Sequence, residues 1–289
     1  MKIVLFCLLG VCVFLQAASA GAQQIDAADE AAGTQLPFKI SHGFLIVVEG
    51  QVGGMSKLRF ILDTGSSRTI VDKRVARKLG IGGVPSRILT IRQIAEAESA
   101  IFSDVRFGPI RATNIRLLIT DLSLYSEYAG GVDGILGLDL LRGSRMSLDF
   151  VAKKLLISFG PTESTPSSHP GEIVCFTTTA EMQGSPVRLL VDTGMDSILL
   201  YTDRLRKRLP QFEIDDLKPV AIGRVMFANE GMVRRIKIGT AEIQHPRVLF
   251  FSNAPPGLPE NIDGVLGTAS LKARWLLLDF SHGNLAWRR

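Results

Sequence analysis

Residues 62–65 are Leu-Asp-Thr-Gly, and residues 191–194, which lie 129 positions further along the chain, are Val-Asp-Thr-Gly. Each Asp-Thr-Gly triplet follows an apolar run, Phe-Ile-Leu at residues 60–62 and Leu-Leu-Val at residues 189–191. An aspartate at the end of such a strand is carried towards a dry interior, where a lone carboxylate is energetically costly. A single triplet often marks only a turn, but a matched pair indicates two loops that each present an acid.

Several other short segments recur at nearly the same offset. They keep their order along the chain, and their offsets lie between 130 and 131 positions. The recurring segments are residues 132–137 with 262–267, 148–150 with 278–280, and 105–108 with 236–239. Together with the triplets, these matches in one constant order indicate an internal duplication.

The apolar runs in each half are short, rich in Val, Ile, Leu and Phe, and separated by Gly, Pro and Asn, which is typical of β-strands. Examples are residues 44–48, 58–62 and 116–119. One short helix is predicted after each triplet, with Asp72 capping residues 73–79 and Thr202 capping residues 203–209. The sequence therefore predicts a mainly β protein with short helices.

The duplication predicts two homologous lobes, at residues 36–159 and 172–289. Between them, residues 160–171 are rich in Pro, Ser and Thr and lack apolar periodicity, as expected of a linker between lobes. A long surface loop within one domain is the alternative for this segment, and it would leave the functional interpretation unchanged.

The N-terminus has the layout of a secretory signal peptide. Met-Lys is followed by an apolar stretch at residues 3–15 and then by small residues. We predict a signal peptide at residues 1–20, cleaved after Ala20 or, as a second choice, after Ala22. An uncleaved membrane anchor is the alternative, although the apolar stretch is shorter than the roughly 20 residues that a span needs. Residues 21–35 are predicted to form a flexible tail.

Export also bears on the cysteines and on the partners. Two of the three cysteines lie in the predicted signal, so the mature chain keeps only Cys175 and forms no internal disulfide. This favours a bacterial periplasm, with secretion or anchoring by an uncleaved signal as the alternatives, and we expect no stable membrane insertion after cleavage. The net charge of +5 is mild, and the basic run at residues 204–208 lacks interleaved aromatics, so we expect no nucleic-acid partner.

The two acids suggest a reaction. If the loops meet between the lobes, Asp63 and Asp192 should hold one proton between them and titrate as a unit. The ionised member can then take a proton from a bound water while the protonated member polarises a substrate carbonyl. This chemistry hydrolyses an amide without metal, cofactor or covalent intermediate. Because one chain supplies both acids, a monomer is sufficient for a complete site.

The sequence resembles the pepsin and retropepsin group of aspartic peptidases in several motifs. They are Asp-Thr-Gly-Ser-Ser at residues 63–67, Asp-Thr-Gly at 192–194, the segment Gly-Ile-Leu-Gly-Leu-Asp-Leu-Leu at 134–141, and Val-Leu-Gly at 265–267. The resemblance implies two retropepsin-like β-barrel lobes with the active site between them and a peptide or protein substrate. It also implies roles for nine residues. Catalysis falls to Asp63 and Asp192, and support to Thr64, Gly65, Ser66, Thr193, Gly194, Gly137 and Gly267.

Within this resemblance, Thr64 and Thr193 are expected to lock the two loops together. The apolar strands that end at Gly137 and Gly267 are expected to pass behind the loops, and the Ser66 hydroxyl is expected to bond the neighbouring aspartate. Met195, which occupies the place of Ser66 in the second half, cannot make that bond, so the two carboxylates should be inequivalent.

A second departure concerns the flap, the mobile hairpin that covers substrate in this family. The candidate segment in the first half, residues 87–103, contains no glycine, whereas residues 228–231 of the second half, Ala-Asn-Glu-Gly, form a better turn. Either the second lobe supplies the main flap or the cover is built differently.

Other chemistries fit the sequence less well. The four histidines are scattered without ligand spacing, so we expect no metal site. Ser66 and Ser67 lack the context of a serine nucleophile. A duplicated sugar-kinase or actin-like ATPase is one rival, which predicted export disfavours. A second rival is a catalytically silent protein of the same fold that binds a peptide or a partner between its lobes.

Overall fold

The computed structural model of the chain describes residues 33–89, 94–123, 131–159, 175–209, 214–222 and 226–289. The predicted signal peptide, most of the predicted tail and the predicted linker at 160–171 lie outside these ranges. The described residues form 22 strands, which build three sheets, and a few short helices. No helix in the described ranges is long and apolar enough to cross a membrane.

The first lobe is a closed barrel. Its elements are β2 (Lys39–Ser41), β3 (Leu45–Val52), β4 (Met55–Leu62), β5 (Ile70–Asp72), α1 (Lys73–Lys78), β6 (Val84–Leu89), β7 (Ile94–Phe107), β8 (Ile110–Thr120), β9 (Gly134–Leu136) and α2 (Leu138–Leu141). The strands pair in the order β2-β3-β4-β9-β5-β8-β7-β6, and a further pairing of β3 with β7 closes the ring.

The second lobe repeats this order. Its elements are β12 (Thr177–Met182), β13 (Ser185–Asp192), β14 (Ile198–Tyr201), α3 (Thr202–Arg208), β15 (Asp215–Ile222), β16 (Met226–Met232), β17 (Arg235–Ile238), β18 (Ala241–Gln244), β19 (Arg247–Phe251), β20 (Gly264–Gly267) and the 3-10 helix Thr268–Leu271. The strands pair in the order β15-β16-β19-β14-β20-β13-β12-β17-β18. Read backwards from β12, this is the first-lobe order from β3 to β6, so the site-bearing strands lie in equivalent places.

A third sheet joins the lobes. It comprises β1 (Thr34–Pro37), β10 (Ser144–Asp149), β11 (Lys154–Phe159), β21 (Trp275–Asp279) and β22 (Asn284–Arg288), in the order β1-β11-β10-β21-β22. Its central pair combines one strand from each lobe, with Met146 opposite Leu278 and Leu148 opposite Leu276. These four side chains are fully buried, and the largest apolar cluster runs from them into both barrels. The two lobes therefore share one apolar core. Burying each of these side chains contributes about 1.5–3 kcal/mol to folding.

The predicted elements can be compared with these bounds. The strands predicted at 44–48, 58–62 and 116–119 lie within or overlap β3, β4 and β8, and the Asp72 carboxylate caps α1 by accepting from the Arg74 N–H. The tail was predicted to reach Gln35, but β1 begins at Thr34, which pairs with Ile157 of β11. That boundary was wrong because the last residues of the tail have a sheet edge to pair with.

The predicted cap of the second helix was also wrong. Helix α3 begins at Thr202, its N-cap residue is Tyr201, and no side chain bonds the cap. The Thr202 hydroxyl instead donates to the carbonyls of Phe251 and Ser252, both at 3.1 Å. A neighbouring loop thus takes the hydroxyl that the sequence pattern assigned to the helix.

The turn predicted at residues 228–231 lies inside strand β16, where Gly231 pairs with Val248 of β19. A Cβ on Gly231 would come within 2.5 Å of the Ile214 side chain, so this glycine serves close packing and not a turn. Strands β15 and β16 pair up to Ile222 opposite Met226, and their first-lobe counterparts β6 and β7 pair up to Leu89 opposite Ile94. Residues 223–225 and 90–93, which follow β15 and β6, lie outside the described ranges.

Candidate active site

Each aspartate of the two triplets lies at the end of a strand that is enclosed by other strands. Strand β4 pairs in parallel with β9, and β13 pairs in parallel with β20. The Asp63 N–H donates to the Leu136 carbonyl of β9 at 3.0 Å. A strand in this position is buried on both faces, which explains why the residues before each triplet are all apolar. The fold therefore delivers both acids to the interior.

Gly137 and Gly267 lie where the supporting strand passes behind each loop. A Cβ on Gly137 would come within 2.5 Å of the Arg68 backbone, and one on Gly267 within 2.4 Å of the Ser197 carbonyl oxygen. Real Cβ atoms do not approach backbone so closely, so only glycine fits at either position. Both glycines thus lie directly behind the loops, as the resemblance to aspartic peptidases implied.

Thr64 and Thr193 join the two loops through four hydrogen bonds. The Thr64 N–H donates to the Thr193 hydroxyl oxygen at 3.0 Å, and the Thr193 N–H donates to the Thr64 hydroxyl oxygen at 3.1 Å. The Thr64 hydroxyl donates to the Val191 carbonyl at 2.8 Å, and the Thr193 hydroxyl donates to the Leu62 carbonyl at 2.7 Å. Each threonine thus bonds the backbone of the opposite lobe, and the two loops are held in a fixed relative position.

Gly65 and Gly194 bring the two carboxyl groups together. Each glycine N–H donates to the aspartate of its own loop, at 2.9 Å to Asp63 Oδ1 and at 2.7 Å to Asp192 Oδ1. Each glycine also lies against the aspartate of the other loop. A Cβ on Gly65 would come within 2.5 Å of Asp192 Cγ, and one on Gly194 within 2.9 Å of Asp63 Cγ. The absence of side chains here is what allows the carboxyl groups to meet.

The two carboxyl groups are buried and interact directly. Asp63 is 2% exposed and Asp192 is 0% exposed. Burial raises the pKa of Asp63 well above its ordinary value, and the charge of Asp192 and a hydrogen bond between the two side chains raise it further. The N–H groups of Gly65 and Ser66 oppose this change. Two acids in such contact cannot both ionise readily, so they retain a proton at pH values where a free aspartate has lost its own.

Ser66 and Met195 occupy equivalent places in the two loops. The Ser66 hydroxyl does not bond Asp63 as expected; it donates to the Arg68 carbonyl at 2.7 Å, a local bond typical of serine in a loop. Met195 is fully buried and packs in an apolar cluster with Leu199 and Val265. The two loops therefore do differ in chemistry, but not through a hydroxyl on Asp63.

The sequence analysis missed Asp139 and Thr69. Asp139 is 4% exposed, and its Oδ1 accepts from the Thr69 N–H at 2.8 Å and from the Thr69 hydroxyl at 2.6 Å. The Thr69 hydroxyl oxygen in turn accepts from the Gly137 N–H at 3.1 Å. The available signal was an acid placed among leucines two residues after the supporting glycine.

The recurring aspartates that precede the glycine strands bond backbone. Asp133 Oδ2 accepts from the Arg59 N–H at 2.9 Å, and Asp263 Oδ2 accepts from the Arg188 N–H at 2.8 Å. These bonds tie the start of each glycine strand to the strand beside it. Within the described residues, no group of three or more His, Cys, Asp or Glu side chains is placed to hold a metal ion.

Comparison with known proteins gives one family. A family model described as aspartyl protease matches the chain twice, over residues 48–140 and 178–269. Each match contains one Asp-Thr-Gly triplet and its supporting glycine strand, and together the matches cover well over half of the chain. None of the curated proteins matches the chain. The family resemblance and the mainly β, two-lobed architecture predicted from the sequence are thereby confirmed. The chain belongs to the aspartyl protease family.

Proposed function

We propose that the protein is an aspartic endopeptidase that hydrolyses peptide bonds by activating water between Asp63 and Asp192. The observation that carries this proposal is the direct contact of two buried carboxyl groups, one from each lobe, with four threonine bonds fixing the loops that present them. A peptide or protein is the expected substrate, and one chain supplies the complete pair.

The raised pKa of Asp63 suggests how the pair divides the work. Burial and the contact with Asp192 raise the pKa of Asp63, so the resting pair keeps one proton, with one member protonated and the other ionised. The ionised member takes a proton from the attacking water while the protonated member donates its proton to the oxygen of the scissile carbonyl. The tetrahedral intermediate then collapses and the C–N bond breaks, and the leaving nitrogen takes the proton that came from the water. As the product carboxyl group forms, a hydroxyl of the intermediate returns its proton to the acid that had protonated the carbonyl oxygen, so one proton remains on the pair.

The burial of both acids implies that the site opens to admit substrate. Since Asp63 and Asp192 are almost wholly inaccessible to solvent, a peptide reaches them only if the surrounding segments move. Each lobe carries a hairpin at the corresponding place, β6–β7 in the first and β15–β16 in the second. We propose that both hairpins take part in covering the substrate.

The second candidate is a catalytically silent protein that binds a peptide between its lobes. Met195 favours it, because the Asp192 loop has a buried apolar side chain where a hydroxyl was expected. Both candidates share the fold and the family, so activity alone separates them.

Cleavage-site mapping tests the choice. The protein would be incubated with a mixed peptide library between pH 3 and pH 8, with and without pepstatin, and the products identified by mass spectrometry. We expect Asp63→Asn and Asp192→Asn to lose all cleavage and the exposed-site control Asp216→Asn to keep it. Equal digestion by all variants, or none by the parent protein, would contradict the proposal.

We also propose that the protein is exported, with residues 1–20 as the cleaved signal. The proposal depends on the charge and hydropathy layout of the N-terminus. N-terminal sequencing of protein from a fractionated host is the test. A mature chain that begins at Gly21 or Gln23 in the periplasmic fraction agrees with it, and an intact Met1 on membrane-bound protein contradicts it.

A further inference from the structure

We propose that Asp139 is a positioning residue that fixes the Asp63 loop through a buried network with Arg68 and Thr69, and that the Asp192 loop has no counterpart. The inference rests on the proposed peptidase function for its consequence in catalysis. Its structural part, a support that acts on one loop only, is independent of that function.

The network is compact, with Asp139 and Thr69 buried and Arg68 partly buried. Asp139 lies in the first turn of α2, and its Oδ1 accepts both bonds from Thr69, at 2.6 and 2.8 Å. Its Oδ2 lies 3.4 Å from Nε of Arg68, whose side chain is 15% exposed. Nη2 of Arg68 donates to the Arg116 carbonyl of β8 at 2.7 Å. The network thus connects α2, the end of the Asp63 loop and the barrel wall.

Backbone bonds carry this support to the catalytic loop. The N–H groups of Leu138 and Asp139 donate to the carbonyls of Ser66 at 2.8 Å and Ser67 at 3.2 Å. The Ser66 N–H donates to the Asp63 carbonyl at 3.2 Å. A displacement of Asp139 would therefore shift the segment that runs from Asp63 to Thr69.

The second lobe lacks all three side chains. At the offsets of 129 and 130 that relate the two halves, Arg68 corresponds to Ser197, Thr69 to Ile198 and Asp139 to Ala269. There the glycine of the supporting strand, Gly267, donates to the Ser197 backbone carbonyl at 3.1 Å. Ile198 is buried in the apolar core. The threonine bonds hold both loops, whereas the network of Arg68, Thr69 and Asp139 is added to the Asp63 loop.

The energetics favour a role in geometry over one in stability. Removing a carboxylate and a guanidinium from water costs free energy that their attraction offsets only in part. Burial raises the pKa of Asp139, and the Thr69 bonds and the Arg68 charge oppose that rise. A network of this kind adds little to the free energy of unfolding, and its main effect is to fix the relative positions of the residues that it connects. In this protein it specifies the orientation of the loop that carries Asp63.

The test compares Asp139→Ala with Asp139→Asn and uses Asp279→Asn as the control, because Asp279 is a buried aspartate at the end of β21 whose carboxylate bonds the turn that follows. Amide hydrogen exchange would be followed in residues 63–69 and in residues 192–198. Cleavage of a mapped peptide would give kcat and KM. For Asp139→Ala we expect exchange in the first segment to rise about tenfold or more, with no change in the second.

The same variant should lower kcat by about 10- to 100-fold and leave KM within about threefold, because the acid is misplaced while the peptide-binding surface is intact. Asp139→Asn should keep part of kcat, since its amide oxygen can still accept from Thr69. The control should match the parent protein in both readouts.

Unchanged exchange in residues 63–69, or equal changes in the two segments, overturns the proposal. So does a normal kcat for Asp139→Ala in a protein that cleaves peptides. If the parent protein cleaves nothing, the proposed peptidase function fails, and the exchange comparison still decides the positioning role. If Asp139→Ala does not fold, Thr69→Val removes the 2.6 Å hydroxyl bond and serves the same comparison.

Discussion

Replacing Thr64 by valine removes a hydroxyl from the interface between the loops while nearly keeping the shape of the side chain. Two of the four bonds that join the loops are lost, one donated to the Val191 carbonyl and one accepted from the Thr193 N–H. Removing one partner of a buried hydrogen bond costs about 1–3 kcal/mol, because the group left behind is unsatisfied. Two groups are left behind here, so we expect Thr64→Val to lower the free energy of unfolding by about 2–6 kcal/mol.

Urea denaturation at equilibrium measures this loss. An unchanged slope of unfolding free energy against urea concentration would show that the variant exposes the same surface area on unfolding as the parent protein. Thr64→Ser is the matched control, because it keeps the hydroxyl and loses only a methyl group, worth about 1 kcal/mol. Thr193→Val should resemble Thr64→Val, since its hydroxyl makes the equivalent pair of bonds. A Thr64→Val protein as stable as Thr64→Ser would refute the reasoning that these hydroxyls hold the loops together.

Three other changes give distinct expectations. The raised pKa of Asp63 contributes stability that is present below the unfolded pKa of about 4 and is lost as pH rises through the folded value. Asp63→Asn should therefore gain stability relative to the parent between pH 4 and pH 7, and a constant difference in urea midpoints would contradict this. Gly137→Ala forces a Cβ onto backbone and should cost about 3 kcal/mol or more, whereas Gly82→Ala, with open space around it, should stay within about 0.5 kcal/mol; thermal unfolding compares them. Asp72→Ala removes the helix cap and should cost about 1–2 kcal/mol by the same measurement, and an unchanged midpoint would show that the cap contributes nothing.

Much of the architecture could be predicted because local pattern and tertiary burial agree in this chain. The apolar run before Asp63 is fully apolar since β4 is covered on both faces, and the same holds before Asp192. Asp72 caps the helix that its sequence position indicates. The duplication then supplied what a single half could not, namely that the two acids occupy equivalent places and can meet.

The errors share one physical cause, which is competition from residues distant in sequence. Thr202 was expected to cap a helix, but the carbonyl of Phe251 accepts its hydroxyl instead. Gly231 was read as a turn residue, although its missing side chain makes room for Ile214. For Ser66 the competing partner is near in sequence, because its hydroxyl donates to the Arg68 carbonyl and not to Asp63. A sequence pattern shows which hydrogen-bond and packing partners are possible, but it does not show which of them the folded chain uses.

Asp139 was missed for a different reason. It lies in an apolar segment that was interpreted only as the strand behind the loop, and its partner Thr69 is 70 residues away. An acid between leucines is a signal of a buried partner, since an unpaired carboxylate is costly there. The duplication sharpened that signal, because the equivalent position carries Ala269.

The antiparallel pairing of β10 with β21 has an evolutionary consequence. It fastens two similar barrels into one molecule, and both are encoded in a single reading frame. In an assembly of two identical subunits, every substitution near the site appears in both subunits, so any loss of stability that it causes occurs twice. Here a substitution alters one side only. A single chain can therefore carry an acid at position 139 and an alanine at position 269 around one pair of aspartates.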